Sequence, residues 1–282
     1  MNDVGWKMYL KKINVFIPLI FISNTINASE DFDGYSYFTV GMENITYEES
    51  FTNISSSVDV SSMVINTGGI YVINDKFDFS IDALATFSPD ASEENWKLSG
   101  VALQKNKFEY TRASTNVQLH YKYTPEFRFL AGPSFSYQTY KRYSFEALDP
   151  RVEVIDGVVE ENTTDLFFDV GVAYESAAVA NVPWRYSLKA LIGYPVWSEA
   201  KNTNYDGVKF SPSGYRYSLS GNVSFEVLTG VHLGLYAAYH FDQRDEDGGK
   251  NFVGSDGVTR EVSLPEAKTT NATLGVQVIW NL

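Results

Sequence analysis

The sequence predicts an all-β chain, a transmembrane antiparallel up-and-down β-barrel of about ten strands, with eight and twelve as the open alternatives. Three observations predict it. Apolar and polar residues alternate at period two over stretches longer than the ~5–6 residues usual for strands of globular proteins. The connections between these stretches are alternately short and long, as the two rims of a membrane barrel require. Aromatic residues make up 15% of the chain, while no apolar run after residue 30 reaches the ~20 residues of a membrane helix, so any membrane must be crossed by strands.

The chain opens with Lys7, Lys11 and Lys12, an apolar segment over 13–22, and small and polar residues ending in Asn27-Ala28. A basic region, a short apolar region and a small residue at the cut form a secretory signal. Residues 1–28 are therefore read as a signal peptide cleaved after Ala28, and 29–282 as the barrel; Met8 offers a second start with the same mature product. Cleavage removes three lysines and one aspartate, taking the formal charge from −13 to −15. An acidic chain with no basic run argues against a nucleic-acid partner. The absence of cysteine excludes disulfides, thiol catalysis, cysteine metal sites and lipid attachment at an N-terminal cysteine.

Ten strands follow: 35–47, 58–73, 77–87, 107–123, 127–143, 165–175, 184–196, 215–227, 231–242 and 267–282. In 77–87, Phe77, Phe79, Ile81, Ala83, Ala85 and Phe87 share one face. In 215–227 the second face, from Arg216 to Glu226, is wholly polar, and only Leu228-Thr229-Gly230 separates this strand from 231–242. In 184–196 the second face carries Arg185 and Lys189, which no soluble core would accept. Two strands resist the scheme: the apolar phase shifts in 35–47 between Met42 and Ile45, and neither face of 58–73 is clearly apolar. Pro133 cannot donate to a ladder, so a bulge is expected there with Gly132.

The short connections are Asn74-Asp75-Lys76, Thr124-Pro125-Glu126, 176–183 and 228–230. The long ones are 48–57, 88–106, 144–164, 197–214 and 243–266. Tyr121, Tyr123, Phe127, Phe129, Trp184, Tyr186 and Trp280 fall near the short turns, and Tyr137, Tyr140, Tyr143, Tyr194 and Trp197 near the opposite rim, as two interfacial girdles would. Asp156-Gly157 and Asp256-Gly257 are turn signals inside long loops.

The last strand alternates Thr270, Ala272, Leu274, Val276, Val278, Trp280 and Leu282 to the C-terminus. It resembles the terminal signal of Gram-negative outer-membrane β-barrel proteins, and in overall pattern the chain is similar to small barrels and to solitary autotransporter-type barrels. The resemblance implies a location in the cell outer membrane and both termini in the periplasm. It implies insertion by the barrel-assembly machinery through Leu274, Val276, Val278, Trp280 and Leu282, and contact with outer-membrane lipid and lipopolysaccharide. The family pattern usually ends in an aromatic residue, whereas here Leu282 is terminal and Trp280 stands two residues earlier.

The polar faces supply candidate lumen charges of both signs: Asp78, Asp82, Lys122, Arg128, Asp169, Arg185, Lys189, Arg216 and Glu226, with Arg112, Glu175 and Lys268 beside them. Buried charges must find partners, and a barrel near eight strands is filled by side chains. A plugged lumen is therefore expected rather than a pore. His120, His232 and His240 also fall on polar faces. His240 and Asp242 lie two apart near the outer rim, where a carboxylate could orient an imidazole as general base. Omptin-type proteases are ten-stranded barrels that use Asp and His at that rim, but no omptin sequence motif is present. Ser218, Ser220 or Ser224 would serve a lipid hydrolase. The segment 243–250 lacks the ligand spacing of a calcium loop, and no metal or cofactor is expected.

The sequence thus reads as a monomeric barrel with a structural or binding role, its long loops open to an extracellular ligand. A narrow porin-like channel, a rim-facing hydrolase and a soluble secreted β-sandwich are the alternatives.

Overall fold

A computed structural model describes residues 34–154, 157–176, 183–254 and 257–282. The signal peptide and the cut near Ala28 lie outside the described residues, as do Asp156 and Asp256. Ten strands close into one antiparallel ring: β1 (Gly34–Phe51), β2 (Ile54–Asn74), β3 (Phe77–Phe87), β5 (Val101–Lys122), β6 (Phe127–Ala147), β7 (Val158–Glu175), β8 (Trp184–Asn202), β9 (Gly214–Leu228), β10 (Val231–Arg244) and β13 (Glu266–Asn281). The first and last strands complete it, in a register that sets Val40 opposite Val276. Three further strands, β4 (Ser92–Leu98), β11 (Asp247–Val253) and β12 (Thr259–Leu264), lie in segments read as loops from sequence.

The outward residues divide the longer strands, β1, β2 and β13 among them, into two zones. On β1, Phe38, Val40 and Met42 point outward and are 40–50% exposed, whereas the next outward positions are Asn44, Thr46, Glu48 and Ser50. On β2 the same boundary falls between Ser61 and Met63, and Met42 pairs with Met63. On β13 the apolar outward run is Ala272 to Trp280, eight residues of rise, which at ~3.3 Å per residue and a ~40° tilt covers about 20 Å, close to the ~25 Å apolar band of a membrane barrel. Above this belt the barrel stands in water.

The two zones explain the strands that resisted reading. There is no phase shift in β1: odd-numbered residues from Tyr35 to Glu49 face inward throughout. What reverses is the polarity of the faces. Ile45 and Tyr47 on β1 and Val58 and Val60 on β2 are buried inside with Phe108, Tyr110, Tyr140 and Ala267, while their outward neighbours are polar. Tyr140 accordingly belongs to this internal cluster and not to the outer girdle, and Lys268 faces outward, paired with Glu266 at 3.1 Å.

The expected bulge at Pro133 is absent. Asn116 pairs with Ser134 and Leu119 with Ala131, so the register is unshifted across the proline; the ladder loses rungs there without inserting a residue. Register shifts occur elsewhere in the ring, one of them on β8, where Phe167 faces Pro195 and Leu166 faces Trp197. β8 also parts from β9 above the Gly193–Arg216 pair. The segment 203–213 fills that gap through a single bridge between Ala200 and Phe210.

Candidate functional site

Most lumen-facing charges meet in pairs inside the barrel. Asp78 takes Arg128 Nε at 2.8 Å and Lys122 Nζ at 2.9 Å. Asp82 takes Lys189 Nζ at 2.6 Å and the Tyr37 hydroxyl. Asp169 takes Arg216 Nη2 at 2.6 Å. Arg185 Nη1 donates to Asn281 Oδ1 at 2.5 Å, and Glu226 accepts the Gly230 backbone N–H at 2.8 Å. A further pair, Arg112 with Glu43, is joined by Thr273. Of the C-terminal residues, Leu274, Val276, Val278 and Trp280 point outward into the belt and Leu282 is exposed at the end of the strand.

His240 and Asp242 share the inner face of β10, yet they do not reach the open rim. They line a cavity of about 60 Å³ with Arg112, Asn116, Ser218 and Asn271. Above it lies the cluster of Tyr47, Phe108, Tyr110 and Tyr140, whose rings approach to 4.7–6.3 Å. Ser218 stands opposite His240 in the ladder, but the cavity beside them has room for a few water molecules and for no peptide or acyl chain. The reason for this depth is that the wall continues well past the predicted strand ends.

The concave site on the outer face is one that sequence reading missed. Above the aromatic cluster opens a vestibule of about 410 Å³, within the ~300–1,000 Å³ range of small-molecule sites. Its walls are Phe51, Ile54, Trp96, Phe145, Tyr205 and Phe210. One wall is built by the β11–β12 hairpin, which lays Val262 and Leu264 against Phe210 and Ala200 and packs Phe252 against Tyr205 at 5.6 Å. The floor is charged. Arg142 binds Glu94 through Nε at 2.8 Å and Glu49 through Nη2 at 3.0 Å, and its guanidinium stacks over Tyr47, Trp96 and Phe108 at 5.2–5.8 Å. Arg244 joins Glu161 and approaches Glu49 at 3.8 Å.

Three carboxylates therefore face two guanidiniums. Burial pushes the Glu49 carboxyl up; Arg142 opposes this, and Glu161 and Glu94 add to it. Burial pushes Glu94 up as well, but Arg142 and hydrogen bonds from Asn106 at 2.8 Å and Ser56 at 2.9 Å outweigh it and hold Glu94 below the ordinary carboxylate range. Glu49, Glu94, Glu161 and Arg244 all fall in segments that alternation in outward hydrophobicity reads as loops. A continued period-two pattern with its sense reversed, as in Ile45-Thr46-Tyr47-Glu48-Glu49, is the signal that marks them.

No family model matches the sequence, and neither does any curated protein. Solved structures of outer-membrane proteins align with most of the chain. The outer membrane protease OmpT of Escherichia coli matches with a TM-score of 0.64 at 10% identity, over 92% of this chain and 100% of that one. The outer membrane protein OprG of Pseudomonas aeruginosa gives 0.40 at 8% identity, over 91% and 98%. The translocator domain of the autotransporter NalP of Neisseria meningitidis gives 0.36 at 11%, over 90% and 91%. The chain has the fold of a Gram-negative outer-membrane β-barrel, and at these identities the likeness is one of fold.

Proposed function

We propose that this outer-membrane barrel is a surface binding protein whose outer vestibule takes an extracellular ligand, an apolar or aromatic group carrying a polar or cationic head. One observation carries the reading: a cup of about 410 Å³ walled by aromatic rings and floored by buried carboxylates and guanidiniums opens on the outer side of a lumen crossed by ion pairs. Rings provide apolar contact and cation–π attraction, and the floor provides a few fixed hydrogen-bonding groups, the usual anatomy of a ligand site. The protein would reach this position by export with cleavage near Ala28 and insertion by the assembly machinery through the C-terminal strand. It would sit there as a monomer among lipid and lipopolysaccharide.

The narrow-channel alternative is opposed by the paired lumen charges, and the His240–Asp242 hydrolase by the closed space around those residues. A panel of aromatic amines and short peptides bearing one aromatic and one basic residue, titrated against the folded barrel with Trp96 fluorescence as readout, tests the reading. Binding should appear in the wild type and disappear in Phe145→Asp. Binding that survives Phe145→Asp and Phe51→Asp alike, or no binding across the panel, overturns it.

A further inference from the structure

We infer that the lumen carries a file of water through the membrane-spanning part of the barrel, giving a path that passes water and excludes ions. This goes beyond the vestibule reading and does not depend on it. The inner face of β9 presents Ser218, Ser220, Asn222 and Ser224, too small to fill the space they face. Ser218, Ser220 and Asn222 retain partial exposure although they point into the barrel, as do Arg216 above them and Glu226 below. Opposite them three cavities of about 100, 60 and 20 Å³ are stacked along the axis. A water molecule needs ~10–15 Å³ of such space, so each level holds at least one. The first and second cavities share Arg112, Ser218 and His240, and the second and third share Gln138, Asp242 and Thr269.

Unpartnered polar atoms point to what fills them. His120 Nδ1 and Gln277 Oε1 line the first cavity and Asn271 Nδ2 the second, in side chains that are 1%, 1% and 3% exposed, and none has a protein partner. His240 Nε2, between the two cavities, also lacks one. Buried polar atoms are rarely left unbonded, and water is the partner that fits this space.

The route ends at partly exposed residues on either side. Toward the short turns, Arg185, Ser187 and Glu226 face the lumen and are partly exposed. At the other end the smallest cavity reaches Pro212 and Ser213, at the gap where β8 and β9 no longer pair. The file leaves there, beside the aromatic cluster and not through it. The cations along the route, Lys189, Arg216 and Arg112, are each held by a carboxylate. Asp242 lines the second and third cavities and Asp165 the third without a cation partner among the described residues, so ion exclusion rests on size: levels of about 60 and 20 Å³ have no room for an ion with its hydration shell.

The test is stopped-flow light scattering of phosphatidylcholine proteoliposomes under an osmotic step, with planar-bilayer recordings in parallel. Osmotic water permeability should exceed that of protein-free vesicles, and the excess should be lost in Ser218→Phe and Ser220→Phe, each shown to be folded by heat-modifiable gel mobility. Ser220→Val, a milder filler, should reduce it if either bulky variant fails to fold. Permeability equal to that of protein-free vesicles, or unchanged by the fillers that fold, overturns the water path. Current steps in the wild type overturn ion exclusion.

Discussion

Asp169 on β7 and Arg216 on β9 bind each other across an intervening strand, and Gly193 on β8 makes this possible. Two contacts join the pair, Nη2 to Oδ2 at 2.6 Å and Nε to Oδ1 at 3.1 Å. Gly193 pairs with both residues, Asp169 on one side and Arg216 on the other. A Cβ at Gly193 would collide with Asp169 Oδ1 and lie 3.1 Å from Arg216 Nε. The glycine is needed for the space its missing side chain leaves to a bidentate ion pair.

Gly193→Ala should therefore act as an ion-pair mutation and not as a gain in strand propensity. Separating a buried pair costs ~3–5 kcal/mol, against the ~0.5–1 kcal/mol that a Gly→Ala change within a strand would return. Guanidinium unfolding of the refolded barrel, followed by heat-modifiable mobility, measures this. A midpoint equal to or above wild type would mean that the pair tolerates the methyl group.

Arg142 is the most connected charge of the vestibule floor, between Glu49 and Glu94 and over three rings. Arg142→Met should destabilise by ~3–5 kcal/mol, because it leaves buried carboxylates unpaired. Adding Glu94→Gln should recover part of that loss, since the amide needs no counter-charge. A double variant no more stable than Arg142→Met would show that Arg142 acts through ring stacking alone.

The two carboxylates predict opposite pH responses. Glu94 is held below its unfolded value of ~4.3, so its contribution is present above that pH and lost as pH falls through the folded value. Glu49 is raised: the folded state binds its proton more tightly, so its contribution is present below ~4.3 and is lost as pH rises through its folded value. Glu49→Gln should remove the decline on the alkaline side of ~4.3 and leave the acid limb in place. An unfolding midpoint whose pH profile is unchanged by Glu49→Gln would disprove the assignment.

Which parts of this molecule are legible in its sequence follows from what lies outside each strand. Where lipid lies outside, as at Leu274-Gly275-Val276, alternation has one sense, and strand, face and register can all be read. Where water lies outside, as at Thr46-Tyr47-Glu48, the backbone keeps its period while the apolar side chain moves inward, so predicted strands stop near the membrane boundary. That one limit hides Glu49, Glu161 and Arg244 in apparent loops, and it sets His240 and Asp242 at a rim that in fact lies higher. The vestibule wall was beyond reading for another reason: it needs Phe210, Val262 and Phe252 to meet, and their packing depends on a hairpin folding over a gap between β8 and β9.

The position of that boundary can be measured with one charge placed at two heights. Val276 is 53% exposed in the middle of the apolar belt, and Ser57 points outward from β2 above it. An arginine on the lipid face of a membrane barrel costs ~2–4 kcal/mol at the midplane and ~0–1 near the interface. Val276→Arg should therefore lower stability in lipid by ~2–4 kcal/mol, and Ser57→Arg by no more than ~1 kcal/mol. In a soluble sandwich both sites would face water and both changes would be small, so unfolding in lipid vesicles separates the two architectures. Equal costs at Val276 and Ser57 would place the bilayer elsewhere on the barrel and undo the division of the longer strands into a lipid-facing and a water-facing zone.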